Sequence, residues 1–395
     1  MHITFVAGYI DHGGAGSNIS LDILAKTLCE WGHTVKVITL NVTESNTICW
    51  DTPYEVVPIR EAIPAAVDGP KSALKALRGL GQETDIFHIF DPIFTPLFGT
   101  YRLLGGSTPV VSRLNSYTLF CTNNAMMDGE CHKDCSIDDK IRHDDSKSST
   151  QLFKLPQYWL ADQPDGGCLG SVDHYFAQSP SVKRVYSEAG FDNAKITTIT
   201  NFYNPDFTEK PTDTTEFSRP EFNFLYVGRL THIKGVDILL RAVDRSDSTV
   251  TVDLVGDGTA RENLEKTASR LSVTDQVTFH GWVDHDDLPA YYDESDVFIH
   301  PGRWEEPSGR ALLEAMQYHC PAIVSDIGGP PWIVGDAGLV FEPENASELA
   351  NYIDNLMQDR GRYRKLRQQS KSRLSTFEPE KLINKIENEY QKLVY

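Results

Sequence analysis

Short apolar runs alternate with stretches of helical spacing from the start of the chain. His2–Ala7 is mostly apolar and reads as a buried first strand. After a loop over residues 8–16, Leu21, Leu24, Leu28 and Trp31 recur on one helix face, and Gly32 supplies a stop. Residues 34–40 form a second apolar strand. Strand, helix, strand in that order begins a parallel α/β sheet. β-rich runs at 86–90, 110–112, 175–177 and 196–199 continue the pattern.

Residues 204–221 break the rhythm. They hold Pro205, Pro211 and Pro220 among Thr, Asp, Glu and Ser, the composition of an exposed linker. Beyond them the alternation resumes, with strands at 222–227, 250–255, 277–280, 297–300 and 322–325. Helices are predicted at 236–243, 260–271, 288–292 and 310–318. The expected architecture is two Rossmann-like, doubly wound domains, residues 1–203 and 222–376, joined by the linker. A final helix over 377–395 carries Leu382, Ile386, Tyr390 and Leu393 on one face. Taken by itself, that face docks on the second domain.

Composition fits this picture. A chain of 395 residues with 40% hydrophobic content can bury two cores. Basic residues number 37 against 56 acidic ones, a net charge of −19. A nucleic-acid binder carries a basic face, and none is expected here. The acidity also suits a salty cytoplasm, so a halophilic source stays open. No run of about 18 apolar residues suggests a membrane span, and the first residues do not look like a signal peptide. A cytoplasmic protein is expected, with peripheral association at the inner face of a membrane left open, though no basic amphipathic stretch is expected. Cys29, Cys49, Cys121, Cys131, Cys135, Cys168 and Cys320 do not suggest a disulfide framework in that setting.

The chemistry concentrates in two motifs. Glu306-Pro307-Ser308-Gly309-Arg310 runs into a helix that carries Glu314. A helix N-terminus presents free N–H groups and a positive dipole end, which suits a diphosphate. A loop carboxylate beside it could accept from sugar hydroxyls, and one two turns on from ribose hydroxyls. The bland alternative is a helix with an acidic entry. The second motif, Gly228-Arg229-Leu230 to Lys234-Gly235, follows a strand, so both cations reach the carboxyl end of a sheet, where ligands sit. Together the motifs provide positive charge for a leaving diphosphate without a metal. Asp284-His285-Asp286 reads as a helix entry rather than a metal site. Gly13-Gly14-Ala15-Gly16 could approach a phosphate, but Ser17 follows where a dinucleotide fingerprint differs, and the second strand ends without an acidic residue. This disfavours a nicotinamide enzyme. Cys121, Cys131, Cys135 and Cys168, with His132 nearby, are a candidate structural zinc set, though their spacing matches no short signature.

On these residues the second half resembles the donor domain of family-four retaining glycosyltransferases of the GT-B fold. The matching text is Gly228-Arg229-Leu230 to Lys234-Gly235, Leu254-Val255-Gly256-Asp257-Gly258, Phe279-His280-Gly281, His300-Pro301 to Glu306, Gly309 and Glu314-Ala315-Met316, then Gly328-Gly329 and Gly338-Leu339-Val340. The first half is similar more loosely, through Gly13–Gly16 and residues 88–96. The resemblance implies an acceptor-binding first domain, a sugar-nucleotide-binding second domain and a final helix that crosses back to the first. It implies that Arg229 and Lys234 hold the diphosphate, Glu306 faces the sugar, Glu314 the ribose, and Gly14, Ala15 and Gly16 close on the phosphates. Gly256, Gly309 and Arg310 complete the donor set. Asn115 stands where many members carry a His near the reacting sugar, so a base is not implied there. Ser308 replaces a usual aromatic, and a frequent Glu is missing near Trp332.

The implied activity is retaining transfer of a hexose-type sugar from a nucleotide diphosphate donor to a glycan, lipid-linked or small-molecule acceptor, with no cofactor required. A sugar-nucleotide 2-epimerase of the same fold and a non-catalytic sugar-nucleotide binder are the alternatives. Products formed without acceptor discriminate the first, and the departure at Asn115 is the one support for the second.

Overall fold

The computed structural model describes residues 1–8, 16–39, 52–63, 70–119, 121, 167–207 and 222–395. The chain divides into two compact units, Met1–Thr200 with Pro379–Tyr395, and Asn201–Glu378.

The first unit is built on β1 (His2–Ala7), β2 (Thr34–Thr39), β3 (Glu55–Pro58), β4 (Ile86–Ile89), β5 (Val110–Leu114), β6 (His174–Ala177) and β7 (Ile196–Thr198). They form one sheet in the order β3-β2-β1-β4-β5-β6-β7, every pairing parallel. Every residue of β4, β5 and β6 is buried, which is why these strands read as continuous runs rather than alternation. β3 escapes sequence reading because it is a half-exposed edge strand ending at Pro58. The helices Pro70–Leu80, Thr95–Leu103 and Pro180–Glu188 were also not anticipated.

The second unit carries β8 (Asn223–Val227), β9 (Thr251–Val255), β10 (Val277–Gly281), β11 (Val297–His300), β12 (Ala322–Ser325) and β13 (Gly338–Phe341). Their order is β10-β9-β8-β11-β12-β13, again all parallel. The chain starts in the middle, winds outward to β10, then returns past β8 to β11. That reversal opens a crevice at the carboxyl ends of β8 and β11, the place where such sheets take ligands.

Three expectations need correction. The predicted linker 204–221 begins too early, and the predicted first domain, 1–203, runs three residues too far. Residues from Asn201 belong to the second unit, and Phe207 is buried among Tyr292 and Tyr318. An aromatic ring with a core to enter overrides the polar composition around it. Residues 208–221 lie outside the described residues.

The final helix, Pro379–Val394, packs in the first unit, as the resemblance implies and against the reading of its apolar face alone. Leu382, Ile383, Ile386 and Tyr390 are buried there. Its polar partners fix the choice: Tyr390 Oη meets His88 Nδ1 at 2.5 Å, and Glu387 meets His33 at 3.0 Å.

A basic segment also exists after all. The helix Arg360–Leu374 carries Arg360, Arg362, Arg364, Lys365, Arg367, Lys371 and Arg373 and no acidic residue. Tyr363, Leu366 and Ser370 bury its other side. The chain's overall acidity hides this helix. Among the described residues no helix is long and apolar enough to cross a membrane.

Candidate functional site

The two sequence motifs occupy the two lips of the crevice in the second unit. β8 leads through Gly228 and Arg229 into the one-turn helix His232–Lys234, and β11 leads into residues 301–309. The lips touch. Gly235, at φ +68°, packs so closely that a Cβ would lie 2.0 Å from the Pro301 carbonyl oxygen. Two residues on, Arg303 N–H donates to Ile233 O at 3.0 Å. Only glycine permits the first contact.

This seam brings Lys234 and Glu306 into an ion pair between Nζ and Oε2, with side chains 16% and 15% exposed. Trp304 completes the pair. Its Nε1–H donates to the same carboxylate oxygen at 2.8 Å, and its ring centre lies 5.0 Å from Lys234 Nζ. Burial by itself would raise the Glu306 carboxyl. The Lys234 charge, then His300 and the two hydrogen bonds, outweigh it and hold the group below its ordinary value. Glu306 is therefore a carboxylate at neutral pH.

His300 lies beneath, its Nε2 3.9 Å from Glu306 Oε2. Burial lowers its pKa to about 4, against the pull of Glu306, so the ring is neutral. Its Nδ1 is buried without a hydrogen-bond partner among the described residues.

The helix Arg310–Gln317 starts behind Glu306. Gly309 occupies its N-cap, and no side chain caps its first N–H groups. Glu314 on this helix is 5% exposed. One of its carboxylate oxygens accepts from Tyr292 Oη–H at 2.9 Å, and the other meets His285 Nε2 at 3.2 Å. Burial lowers the Arg310 pKa, and Glu314 opposes that shift. His285 sits in the one-turn entry His285–Asp287 and lies 4.7 Å, ring to ring, from Phe207. From the sequence, residues 284–286 read only as a helix entry, a reading that leaves this partner out. The signal lay in tertiary contact, since 29 positions separate His285 from Glu314.

Gly256 follows β9, at φ +130°, where a Cβ would lie 2.0 Å from Gly228 O. Arg229 is exposed, and its guanidinium has no partner among the described residues. Its carbonyl accepts from Tyr226 Oη–H at 2.9 Å, which holds the backbone of this lip.

Arg303 was also missed. It is 3% exposed, and its guanidinium reaches His232 O, both carboxylate oxygens of Asp237 and both of Glu344. Its acidic partners lie 66 and 41 positions away, so no local pattern announces it.

The remaining predicted residues belong to the first unit. Asn115 follows β5 and donates from Nδ2 to Phe90 O at 3.0 Å. Gly16 opens the helix Gly16–Glu30, whereas Gly14 and Ala15 lie outside the described residues. Of the candidate zinc ligands, Cys168 is buried and Cys121 half-buried. Burial raises the Cys168 pKa. Cys131 and Cys135 lie outside the described residues, as does His132.

Comparison with known proteins gives one match for each half of the chain. Residues 14–207 match the family model described as Glycosyltransferase Family 4, and residues 209–373 match Glycosyl transferases group 1. An uncharacterized 41.2 kDa protein in the cps region of Klebsiella pneumoniae is 31% identical over 178 residues, 42% of this chain and 47% of that one. The alpha-D-kanosaminyltransferase of Streptomyces kanamyceticus is 31% identical over 140 residues, 34% of this chain and 36% of that one. These matches span less than half the length of each relative. Among solved structures, Anabaena Alr3699/HepE in complex with UDP superposes with a TM-score of 0.74 at 20% identity, covering 99% of this chain and 100% of that one.

Proposed function

Because this chain belongs to the family-four glycosyltransferases of the GT-B fold, we propose that it transfers a hexose-type sugar from a nucleotide diphosphate donor to a glycan, lipid-linked or small-molecule acceptor, with retention of anomeric configuration. The observation that carries this reading is the meeting of Lys234 and Glu306 at the crevice, beside a helix N-terminus that no side chain caps.

Each group has a role its chemistry suits. Breaking the sugar–phosphate bond places growing negative charge on the diphosphate. Arg229, Lys234 and the amides at Gly309–Arg310 supply preorganised positive charge for it. Lys234 has three donors and gives one to Glu306, so two remain for phosphate oxygens. Glu306, already ionised, accepts from sugar hydroxyls. Glu314, oriented by His285 and Tyr292, accepts from the ribose. In a same-face mechanism a leaving phosphate oxygen takes the acceptor proton, so no separate base is required. Asn115 would contribute a hydrogen bond to a sugar hydroxyl. The cations take the charge-stabilising role that a metal could otherwise supply, so the reaction needs none.

Peripheral association with an anionic bilayer is part of this reading. It is supported by the exposed Arg362, Arg364, Lys365 and Lys371, which together offer local positive charge on an acidic chain.

The test is a thermal-shift screen of UDP-, GDP- and ADP-sugars with and without chelator, followed by product analysis with candidate acceptors. One donor should stabilise the protein in chelator, and the product should keep the donor's anomeric configuration. Strict dependence on divalent metal would overturn the cation argument. A C2-epimerised sugar formed without acceptor would point to isomerisation instead.

A further inference from the structure

We propose that Arg303 is a positioning residue for sugar transfer: it bolts the lip carrying Lys234 to the lip carrying Trp304 and Glu306, and so sets the geometry of the pair. This rests on the transfer reading above.

The guanidinium is spent on protein. Nε–H donates to Glu344, one Nη to His232 O at 2.7 Å and Asp237 at 2.9 Å, the other to Asp237 at 3.0 Å and Glu344 at 3.1 Å. Those bonds use all five donors that arginine possesses. With its side chain 4% exposed and no donor left over, Arg303 has nothing to offer a substrate.

Its charge is spent as well. Asp237 and Glu344 are also paired with Arg241, at 3.0 and 3.3 Å. Two cations and two carboxylates cancel, so the cluster sends little field into the crevice. What remains is geometry. His232 opens the turn that ends in Lys234, Asp237 lies in the first turn of the helix after it, and Arg303 immediately precedes Trp304. One planar group therefore fixes both sides of the Lys234–Trp304–Glu306 contact.

The third anchor is held under strain. Glu344 sits at φ +66°, a left-handed conformation that glycine or asparagine adopts more readily. Asn345, next in the chain, caps the helix Ala346–Gln358 by accepting from Glu348 N–H at 3.1 Å. A costly backbone conformation persists where its surroundings over-determine it. Here it holds both Glu344 oxygens against Arg303.

Lysine keeps the charge but lacks the fork and two of the five donors. R303K should therefore lower kcat by roughly tenfold to a hundredfold while the donor KM stays within about threefold, as expected when reacting groups are misplaced rather than removed. Without close Lys234, burial pushes the Glu306 carboxyl up, so the acid limb of the kcat/KM profile should move to higher pH. E344Q leaves the Asp237 fork in place and should fall between wild type and R303K. A crystal structure of R303K should show Lys234 and Glu306 drawn apart. Wild-type kcat and an unmoved acid limb in folded R303K would overturn the proposal, as would an intact pair in its crystal structure. If wild type transfers no sugar, the transfer reading fails, and the Lys234–Glu306 separation in R303K still decides whether Arg303 sets the pair.

Discussion

At the scale of single residues, the crevice of the second unit works by placing opposite charges so that each fixes the other's state. Glu306 stays ionised because Lys234 outweighs the effect of burial. Glu306→Ala should therefore lower transfer by roughly a hundredfold or more while nucleotide affinity, read by calorimetry, changes little, because the proposed partner of Glu306 is the sugar. Equal loss of nucleotide binding would remove that role. His300 gives a pH signature. Its folded-state pKa is depressed from 6.5 to about 4, so as pH falls the unfolded chain takes up the proton first. This contribution to stability is complete above pH 6.5 and is lost between there and about pH 4, roughly 3 kcal/mol in all. His300→Asn should shrink the difference between urea midpoints at pH 7.5 and pH 4.5. An unchanged difference would place the acid sensitivity elsewhere.

At the scale of elements, helices find their places through a few polar contacts added to an apolar face. The final helix buries Leu382, Ile383, Ile386 and Tyr390, a pattern compatible with many surfaces. Its bond from Tyr390 to His88 is particular to the first unit. Burial keeps the His88 imidazole neutral, and its Nε2 already lacks a partner among the described residues. Tyr390→Phe preserves the ring and strands the other nitrogen, so it should cost about 1–3 kcal/mol in the urea unfolding of the first unit. A loss below a few tenths would mean that packing alone holds the helix.

At the scale of the whole molecule, a net charge of −19 coexists with an acid-free helix, Arg360–Leu374. Its exposed cations should draw the protein to vesicles of phosphatidylglycerol but not phosphatidylcholine, with binding lost at high salt. Replacing Arg362, Arg364, Lys365 and Lys371 by Gln together should abolish sedimentation with those vesicles and leave transfer to a soluble acceptor unchanged. Equal sedimentation of the variant would assign membrane contact to another surface.

Much of this was legible before any coordinates. Buried parallel strands announce themselves as apolar runs, and glycines with charged residues after a strand mark the ligand end of a sheet. The sequence by itself determined two parallel α/β units, and it picked out Lys234, Glu306 and Glu314, because those signals are local and repeat at fixed spacing. It overextended the linker at Phe207 and lost the basic helix inside the net charge, and the apolar face of the final helix did not by itself choose a docking surface, which only the resemblance implied. Tertiary structure alone decided that His285 meets Glu314, that Tyr390 meets His88, and that Arg303 joins His232, Asp237 and Glu344. Those contacts join residues tens to hundreds of positions apart. A hydrogen bond depends on where folding brings two atoms, and no spacing along the chain encodes that.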